Sequence, residues 1–398
     1  MTKPTNWEVG TLDDVLEHID VRNRDKTVQL VLSVTEGRGV IPQSEVFKKR
    51  VAAEDTAKYK ILRPLDIAWN PYLLWTGAIG QWLGDRPGIT SPVYPIFRAR
   101  KGQDARFWGM VLESGVLTPY FDSRAIGSIV RRRRTTPPTF RAAPVFIPPL
   151  ATQERIVDVV DAVDDQISAI DVESEALDWI LESLRADLPG TNHEPISDVL
   201  RGIDSGKSVQ AGGHASAEDE YRILKLSAVQ RGWFKPSEAK ALTDGAGFSP
   251  SHVVKNGDLV ITRANTPERV GFVAIAKNVP QGTFMPDLLW RLKVDESRVS
   301  TDYLAHVLSS SELRIRISGS ASGTSKSMVK INKRGFGTIQ VPVPSLSEQR
   351  DYVRRCESVV RGIETTRAEA ARLRKVRGRL LAGLLDRTID IQSKELEV

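Results

Sequence analysis

Leu150-Ala-Thr-Gln-Glu-Arg-Ile156 opens the segment that decides the fold of this chain. From here to Leu188 the apolar residues recur in steps of three and four, interrupted only at Ser174. This spacing predicts a long helix with one apolar seam, of the kind that packs against a second helix. The seam residues that we assign to helix pairing are Ile156, Val160, Val163, Ile167, Leu177, Leu181 and Leu184.

The same pattern returns 196 positions later (349 − 153), so that Gln153 corresponds to Gln349 and Leu150 to Leu346. Asp66 and Asp258 also begin comparable strand-like segments of the two halves. A match this long indicates that the chain is two copies of one unit. In the second helix the residues assigned to pairing are Val359, Ile363, Leu373 and Leu380.

The two helices carry opposite charge. Residues 154–187 contain eleven acidic and two basic side chains, net −9, whereas 350–383 contain four acidic and ten basic ones, net +6. Heptad positions beside the two seams hold, respectively, Asp164, Asp171 and Asp178, and Val360, Arg367 and Arg374. This charge pattern favours an antiparallel pair of helices. The alternative is two separate helices with solvated faces.

Length and composition indicate a globular protein with two or three domains, because the chain has 398 residues and is 40% hydrophobic. The net charge of +6 and a pI near 9.3 favour a polyanionic partner. The single cysteine, Cys356, excludes a disulfide framework and fits a reducing cytoplasm. No apolar run approaches the roughly 20 residues of a membrane span, so we expect a soluble intracellular protein.

The expected fold class is α+β: two mixed, β-rich globular domains joined by two long helices that form an antiparallel coiled coil, with an internal pseudo-twofold repeat. Short β-rich runs separated by glycine and proline support the two domains. Proline pairs at Pro148-Pro149 and around Pro342 mark the entries into the helices. The expected divisions are a first domain at 1–148, a central helix at 149–188, a second domain at 189–343, a C-terminal helix at 344–387 and a tail at 388–398.

Three motifs suggest catalysis, and each is incomplete. Residues 202–208 resemble a phosphate-binding loop but have one residue too few between the glycines. Asn70-Pro71-Tyr72 resembles a truncated amino-methyltransferase motif, and no glycine-rich cofactor loop accompanies it. Pro286-Asp287 could begin a nuclease motif, but no acidic-x-Lys segment follows. The five histidines form no close pairs, so we expect no catalytic residue, metal or cofactor in this chain.

Two basic clusters precede the helices at equivalent positions, one after Gly127 and one after Gly323. Such loops suit backbone phosphates, while nearby polar and aromatic side chains can read base edges, since Arg suits guanine and Asn suits adenine. The phosphate-binding candidates are Arg131, Arg132, Arg133, Lys326, Lys330 and Lys333. The base-reading candidates are Trp69, Asn70 and Tyr72 in the first half and Arg263, Asn265 and Arg269 in the second. The alternatives are a solvated loop for the clusters and a core position for Trp69.

The chain resembles the specificity subunit of type I restriction-modification systems. The resemblance covers essentially the whole sequence: a recognition domain, a Pro-Pro-Leu-x-x-Gln segment at 148–153 that opens a helix, a second domain, and a Pro-x-Pro-Ser-Leu-Ser-Glu-Gln segment at 342–349 that opens another. The first copy departs from the family pattern, with Thr152 where the family has Glu before the Gln. The order and spacing of these segments carry the resemblance.

The resemblance implies a non-catalytic protein of the bacterial or archaeal cytoplasm that takes part in defence against foreign DNA. Each target recognition domain would read one half of a bipartite, asymmetric target in double-stranded DNA. The paired helices would set the spacer and dock two methyltransferase subunits, which bind S-adenosylmethionine and methylate adenine. Restriction subunits, which translocate and cleave DNA, can join such complexes.

Two other functions remain open from the residues alone. One is a coiled-coil adaptor that binds protein or RNA, which would show no sequence preference for duplex DNA. The other is a stand-alone DNA-modification enzyme with unusual motifs, which would methylate without a partner.

Overall fold

A computed structural model describes residues 7–47, 53, 55–127, 133–216, 218–245, 247–325 and 328–389, apart from the side chains of Thr324 and Ser325. Within these ranges the chain is mixed α/β and divides into two compact units. The first unit comprises Met1–Ile170 with Glu369–Val398, and the second comprises Asp171–Ala368.

The first unit contains short strands, most of them antiparallel, and four short helices among its described residues. The strands are β1 (Glu8–Thr11), β2 (Leu16–Ile19), β3 (Leu32–Thr35), β4 (Gly39–Pro42), β5 (Lys60–Leu62), β6 (Ile67–Trp69), β7 (Ile79–Gln81), β8 (Gly88–Thr90), β9 (Ile96–Ala99) and β10 (Pro144–Ile147). The helices are α1 (Leu12–Val15), α2 (Ala105–Glu113), α3 (Thr118–Arg124) and α4 (Pro137–Arg141). The long helix α5 (Leu150–Ala186) begins in this unit.

An antiparallel sheet in the order β2-β9-β6-β7 lies at the centre of the first unit. All three residues of β6 are buried, as in a strand that is covered on both faces. The core beside it is aromatic, and it includes Trp69, Phe97 and Phe140. Ile156 and Val160 of α5 belong to the same core, so the start of the predicted seam packs here.

The second unit also consists of short strands and short helices among its described residues. The strands are β11 (His193–Pro195), β12 (Leu200–Ser205), β13 (Tyr221–Leu224), β14 (Val229–Gln230), β15 (Trp233–Phe234), β16 (Ala239–Leu242), β17 (Leu259–Thr262), β18 (Ala264–Asn265), β19 (Val273–Ile275), β20 (Thr283–Phe284), β21 (Leu289–Val294), β22 (Ser322–Ser325), β23 (Met328–Lys330) and β24 (Gln340–Pro342). The short helices are α6 (Thr301–Ser309), α7 (Ser311–Gly319) and α8 (Lys333–Gly337), and the long helix α9 (Leu346–Leu385) begins in this unit.

Three sheets of the second unit position its candidate residues. One has the order β12-β21-β17-β19 and is antiparallel, one has the order β16-β13-β20 with β13 and β20 parallel, and one has the order β18-β23-β22. Leu181 of α5 and Tyr352, Cys356 and Ile363 of α9 are buried in the core that covers the first of these sheets.

The two long helices pack together within each unit. In the first unit Leu381 and Leu384 of α9 share a core with the start of α5. The heptad assignment for α9 differs in detail from the structure, because Val360 and Leu381 are buried whereas the expected Val359 and Leu380 are only partly buried. The contact face of α9 is wider than a two-position seam, since the helix covers a domain core as well as α5.

Ion pairs join the acidic helix to the basic helix in both units. In the first unit Arg377 makes two hydrogen bonds to the carboxylate of Asp164, at 2.6 and 2.9 Å. In the second unit Arg367 donates to Asp178 at 2.6 Å. Acidic side chains of α5 and basic side chains of α9 therefore form direct ion pairs, in agreement with the opposite charges of the two helices.

Among the described residues, no helix combines the length and the apolar character needed to cross a membrane. The two longest helices, α5 and α9, are charged along their length.

Candidate nucleic-acid interface

The strands that lead to the base-reading candidates begin in the same way in both units. The Asp66 carboxylate accepts a hydrogen bond from the backbone N of Arg63 at 2.9 Å and two from the Arg98 guanidinium at 2.7 and 2.9 Å. Asp258 accepts from the backbone N of Lys255 at 2.8 Å and from Arg291 at 3.1 Å. Charge-assisted hydrogen bonds of this kind hold a strand start rigidly. The loops that follow β6 and β17 therefore begin at strands whose positions are fixed by these hydrogen bonds.

In the first unit, Asn70 and Tyr94 meet at the end of β6. Asn70 directly follows β6, and its Nδ2 donates to the Tyr94 hydroxyl at 3.2 Å while its Oδ1 accepts from the backbone N of Tyr72 at 3.0 Å. Burial raises the pKa of Tyr94, so its phenol remains neutral and can accept this hydrogen bond. Asn70 is 9% exposed, whereas Tyr72 is 46% exposed. The Tyr72 ring is therefore the better placed of these two candidates to contact a ligand.

In the second unit, Arg263 and Asp287 meet at the corresponding end of β17. Arg263 directly follows β17, and its guanidinium lies 5.8 Å from the ring centre of Trp290 and 3.5 Å from the Asp287 carbonyl oxygen. Its Nε is buried without a hydrogen-bond partner among the described residues. We call these two positions, Asn70 with Tyr94 and Arg263 with Asp287, the strand-end corners.

Antiparallel pairing lies beside each corner. In the first unit Ile126 pairs with Arg134, and the backbone N of Thr135 donates to the Pro71 carbonyl at 2.8 Å. In the second unit β22 and β23 form a hairpin, and the backbone N of Ile331 donates to the Arg263 carbonyl at 2.9 Å. The described residues that flank each basic cluster thus lie beside the base-reading loops, from which they are separate in sequence.

The hairpin of the second unit brings several candidates together. Strand β18 pairs with β23, so that Asn265 lies opposite Val329 and next to Lys330 on the neighbouring strand. Lys330 is exposed, and Lys333 donates from its Nζ to the Ile203 carbonyl at 2.7 Å. The Asn265 amide oxygen accepts a hydrogen bond from the backbone N of Thr266 at 2.9 Å, which leaves its NH₂ group to donate.

Arg269 is exposed on a loop whose backbone is hydrogen-bonded to buried side chains. The buried Arg314 donates to the carbonyl oxygens of Val270 and Glu268, and burial lowers the pKa of this arginine to about 10. The Thr262 hydroxyl donates to the Arg269 carbonyl at 2.8 Å. The backbone of the loop is therefore fixed, while the Arg269 side chain is exposed.

In the first basic cluster, Arg133 is tied to its own unit. Its guanidinium lies 4.5 Å from the ring centre of Trp75 and bonds to the Asp122 carboxylate at 2.8 Å. Arg131, Arg132 and Lys326, which the sequence also suggested, lie outside the described residues.

The assignment of Trp69 to base reading is wrong. The side chain is fully buried, and its ring stacks on Phe140 with centres 5.1 Å apart. The neighbouring residues of β6, Ile67 and Ala68, are buried as well. A run of three apolar residues in a short strand is the signal for a strand covered on both faces, and it favours the core position for Trp69.

Sequence reasoning missed a basic cleft in the second unit. The cleft has a volume of about 460 Å³ and lies beside the corner, with the segment Pro286–Leu288 as one wall. Lys207 lines it from the loop after β12, Lys225 from the turn after β13 and Lys240 from β16. These residues are too far apart in sequence for a local pattern to connect them. Within the described part of the chain, no group of three or more His, Cys, Asp or Glu side chains could hold a metal ion.

Comparisons with known proteins point to one family along nearly the whole chain, although no family model matches it. The specificity subunit of the type I restriction enzyme MjaVIII from Methanocaldococcus jannaschii is 22% identical over 98% of this chain and 94% of its own. The specificity subunit of EcoKI from Escherichia coli is 25% identical over 56% of this chain and 52% of its own. These relatives confirm the resemblance that the sequence indicated.

Two solved structures show the same fold. One is a type I restriction-modification system S subunit from M. genitalium, with a TM-score of 0.55 and 13% identity, covering 97% of each chain. The other is a chain from a study of complex assembly and conformational transition of the type I system, with a TM-score of 0.55 and 16% identity, covering 97% of this chain and 99% of that one.

Proposed function

We propose that this chain is the DNA-specificity subunit of a type I restriction-modification complex, and that each of its units reads one half of a bipartite, asymmetric target. The observation that carries this proposal is similarity to such subunits over nearly the full length of both chains. The two target recognition domains would be residues 1–148 and 189–343, with the helices between and after them as the spacer.

The two strand-end corners support two readers with different preferences. The first corner has the amide of Asn70 and the phenol of Tyr94, whereas the second has the guanidinium of Arg263 against the backbone of Asp287, whose side chain lines the adjoining cleft. Arg suits guanine, and Asn suits adenine. Two readers on matching scaffolds would recognise an asymmetric sequence, because their side chains differ.

An internal repeat with pseudo-twofold symmetry would explain why the glutamines at the starts of α5 and α9 make the same hydrogen bonds. Gln153 accepts a hydrogen bond from the backbone N of Asp104 at 2.9 Å and donates to the Pro148 carbonyl at 2.8 Å. Gln349 accepts from the backbone N of Ser300 and donates to the Pro344 carbonyl, both at 2.9 Å. All three residues of the second set follow those of the first by the same 196 positions. We infer that α5 and α9 form an antiparallel coiled coil that sets the spacer.

Exposed apolar side chains on the long helices are candidates for docking two methyltransferase subunits. Val172 and Trp179 of α5 and Val376 of α9 are exposed. Aromatic anchors such as Trp179 often dominate the energy of protein interfaces. The methyltransferase subunits would bind S-adenosylmethionine and methylate adenine, and restriction subunits could join.

A methyl-transfer assay tests whether the chain is non-catalytic. The purified chain should transfer no radiolabelled methyl group to DNA by itself, because it contains no complete catalytic motif. Transfer should appear with a methyltransferase subunit encoded beside it. Robust turnover by the chain alone would favour the stand-alone enzyme and contradict this proposal.

Sequencing of modified adenines in cells that carry the complex tests the bipartite target. A split, asymmetric motif is expected, and deletion of this gene should abolish it. Binding without any preference among duplex sequences would instead favour an adaptor for protein or RNA.

A further inference from the structure

The basic cleft beside the second strand-end corner has the chemistry of a nucleic-acid site. Its walls come from the loop after β12, from the end of β13, from β16 and from the segment before β21. Lys207 and Lys240 are exposed on these walls. Lys225 is partly neutralised, since it contacts His214 at 2.9 Å and Glu238 at 3.6 Å. Lys207 donates to the Gly247 carbonyl oxygen at 2.5 Å, but among the described residues no carboxylate pairs with Lys207 or Lys240. These two side chains therefore keep their positive charge for a phosphate.

Asp287 is the unusual residue of this cleft. It is half-buried, and among the described residues its carboxylate has no hydrogen-bond or ion-pair partner. A carboxylate near DNA repels phosphates, so it weakens binding unless it accepts a hydrogen bond from the bound ligand. The groups that duplex DNA offers for this purpose are the amino groups of cytosine and adenine in the major groove.

The position of Asp287 supports this function. It stands two residues before β21, as Tyr94 stands two residues before β9. The residue that follows the central strand contacts the Tyr94 hydroxyl in the first unit and the backbone carbonyl of Asp287 in the second, so the Asp287 carboxylate is not used in this contact. The scaffold below the corners is the same in both units, with an aspartate paired to an arginine. The corner residues differ, as expected for the part of each reader that distinguishes its half of the target.

We infer that the cleft is a recognition site of the second unit, in which Lys207 and Lys240 bind DNA phosphates and Asp287 accepts a hydrogen bond from a base amino group. Asp287 is thereby a specificity-determining residue beside Arg263. The inference rests on the proposed function and adds to it residues that the sequence motifs did not suggest.

Substitution of Asp287 tests the reading step in the full chain bound to its methyltransferase subunits. Asp287→Ala should relax one position of one half-site, with a loss of about 5- to 150-fold in discrimination there. It should also raise affinity for unrelated duplexes, because a repulsive charge is removed. Asp287→Asn should shift that position towards adenine, which an amide reads through two hydrogen bonds. Selection from a random duplex library followed by sequencing measures all three effects.

Asp302→Asn is the matched control, since Asp302 is an exposed aspartate at the start of α6 and does not line the cleft. It should leave every position of the target unchanged. If Asp287→Ala retains full discrimination at every position while the wild-type complex selects a split target, the inference is wrong and the proposed function stands. If the wild-type complex selects no split target, the proposed function fails.

Substitution of the lysines tests the phosphate contacts. Lys207→Ala with Lys240→Ala should lower the slope of log affinity against log salt by about 2, since each phosphate contact contributes about 0.9. The preferred sequence should not change. Lys235→Ala, at an exposed position outside the cleft, is the control and should leave the slope unchanged. An unchanged slope in the double variant would contradict the assignment to DNA.

Discussion

The residues of the candidate interface differ in how much of each side chain is already in contact with neighbouring residues. The side chain of Trp69 is fully buried in the core. The amide of Asn70 makes hydrogen bonds to the Tyr94 hydroxyl and to the backbone N of Tyr72. Arg269 and Lys330, in contrast, are exposed on backbones that other residues fix. Exposed side chains on a rigid backbone are the arrangement that recognition requires.

Cys356 should react very slowly with alkylating reagents in the native chain. The thiol is fully buried, and burial raises its pKa, so little of the reactive thiolate forms at neutral pH. A higher pH should increase the rate of alkylation only in molecules whose second unit has opened, because the Cys356 thiol must be exposed before its thiolate can react. Because it is the single cysteine, mass spectrometry after iodoacetamide treatment measures this directly. Rapid labelling without denaturant would show that α9 is not packed as described.

At the scale of elements, the starts of the two long helices share a buried glutamine and differ in their caps. Gln153 and Gln349 are both fully buried. Ser345 and Glu348 form a hydrogen-bonded cap at the start of α9, and the bond from the Ser345 hydroxyl lowers the pKa of Glu348. Thr152 takes the place of this glutamate in the first copy. The departure from the family pattern thus replaces an exposed capping glutamate by a buried threonine and leaves the glutamine contacts intact.

Gln153→Ala and Gln349→Ala should each destabilise the corresponding unit by about 1 to 3 kcal/mol, because each leaves buried backbone groups without partners. Glu348→Gln is the control and should have a much smaller effect, because Glu348 is exposed. Urea unfolding of the variants measures the difference. Equal effects of Gln349→Ala and Glu348→Gln would mean that the buried hydrogen bonds contribute little.

The ion pairs between the long helices should differ in strength. Asp164 and Arg377 make two hydrogen bonds, whereas Asp178 and Arg367 make one and are more exposed. Double-mutant cycles should give a coupling of about 1 kcal/mol for the first pair and about half of that for the second, since partial exposure screens both. Coupling in both pairs should fall with added salt. A larger coupling for the second pair would contradict this order.

At the scale of the molecule, both long helices contribute to both units, so a change in their length acts on the whole chain. Leu188, which follows α5, packs against the second core. A change in helix length is therefore best made at the boundary between the units, after Ile170 in α5 and after Ala368 in α9.

Insertion of one helix-favouring heptad at both points should lengthen the preferred spacer by about three base pairs. Seven residues add about 10.5 Å of helix and keep the seam in register. DNA advances about 3.4 Å per base pair, so three more base pairs span this distance. Both half-site sequences should remain, because neither corner is touched. Sequencing of modified adenines measures the spacer.

Insertion of the heptad in α5 alone is the control for this prediction. It leaves the two seams unequal in length, so it should reduce activity without producing the longer spacer. An unchanged spacer in an active double insertion would mean that another feature sets the distance between the half-sites.

Sequence patterns were sufficient to predict the two long helices with their opposite charges and the family resemblance, while the internal repeat stays a prediction. These features follow from local periodicity, and periodicity within one helix is visible without knowledge of its neighbours. The helices run at Leu150–Ala186 and Leu346–Leu385, close to the expected 149–188 and 344–387.

Only the tertiary structure decided which polar residues share a site. Lys207, Lys240 and Asp287 meet in one cleft because strands from distant parts of the chain pair around it. Such pairing depends on long-range register, and a shift of one residue would turn every side chain of a strand to the other face. Trp69 shows the same limit, since its burial depends on the packing of Phe140 far along the chain. The apolar run of β6 favours a core position, but it does not identify the residues that cover the ring.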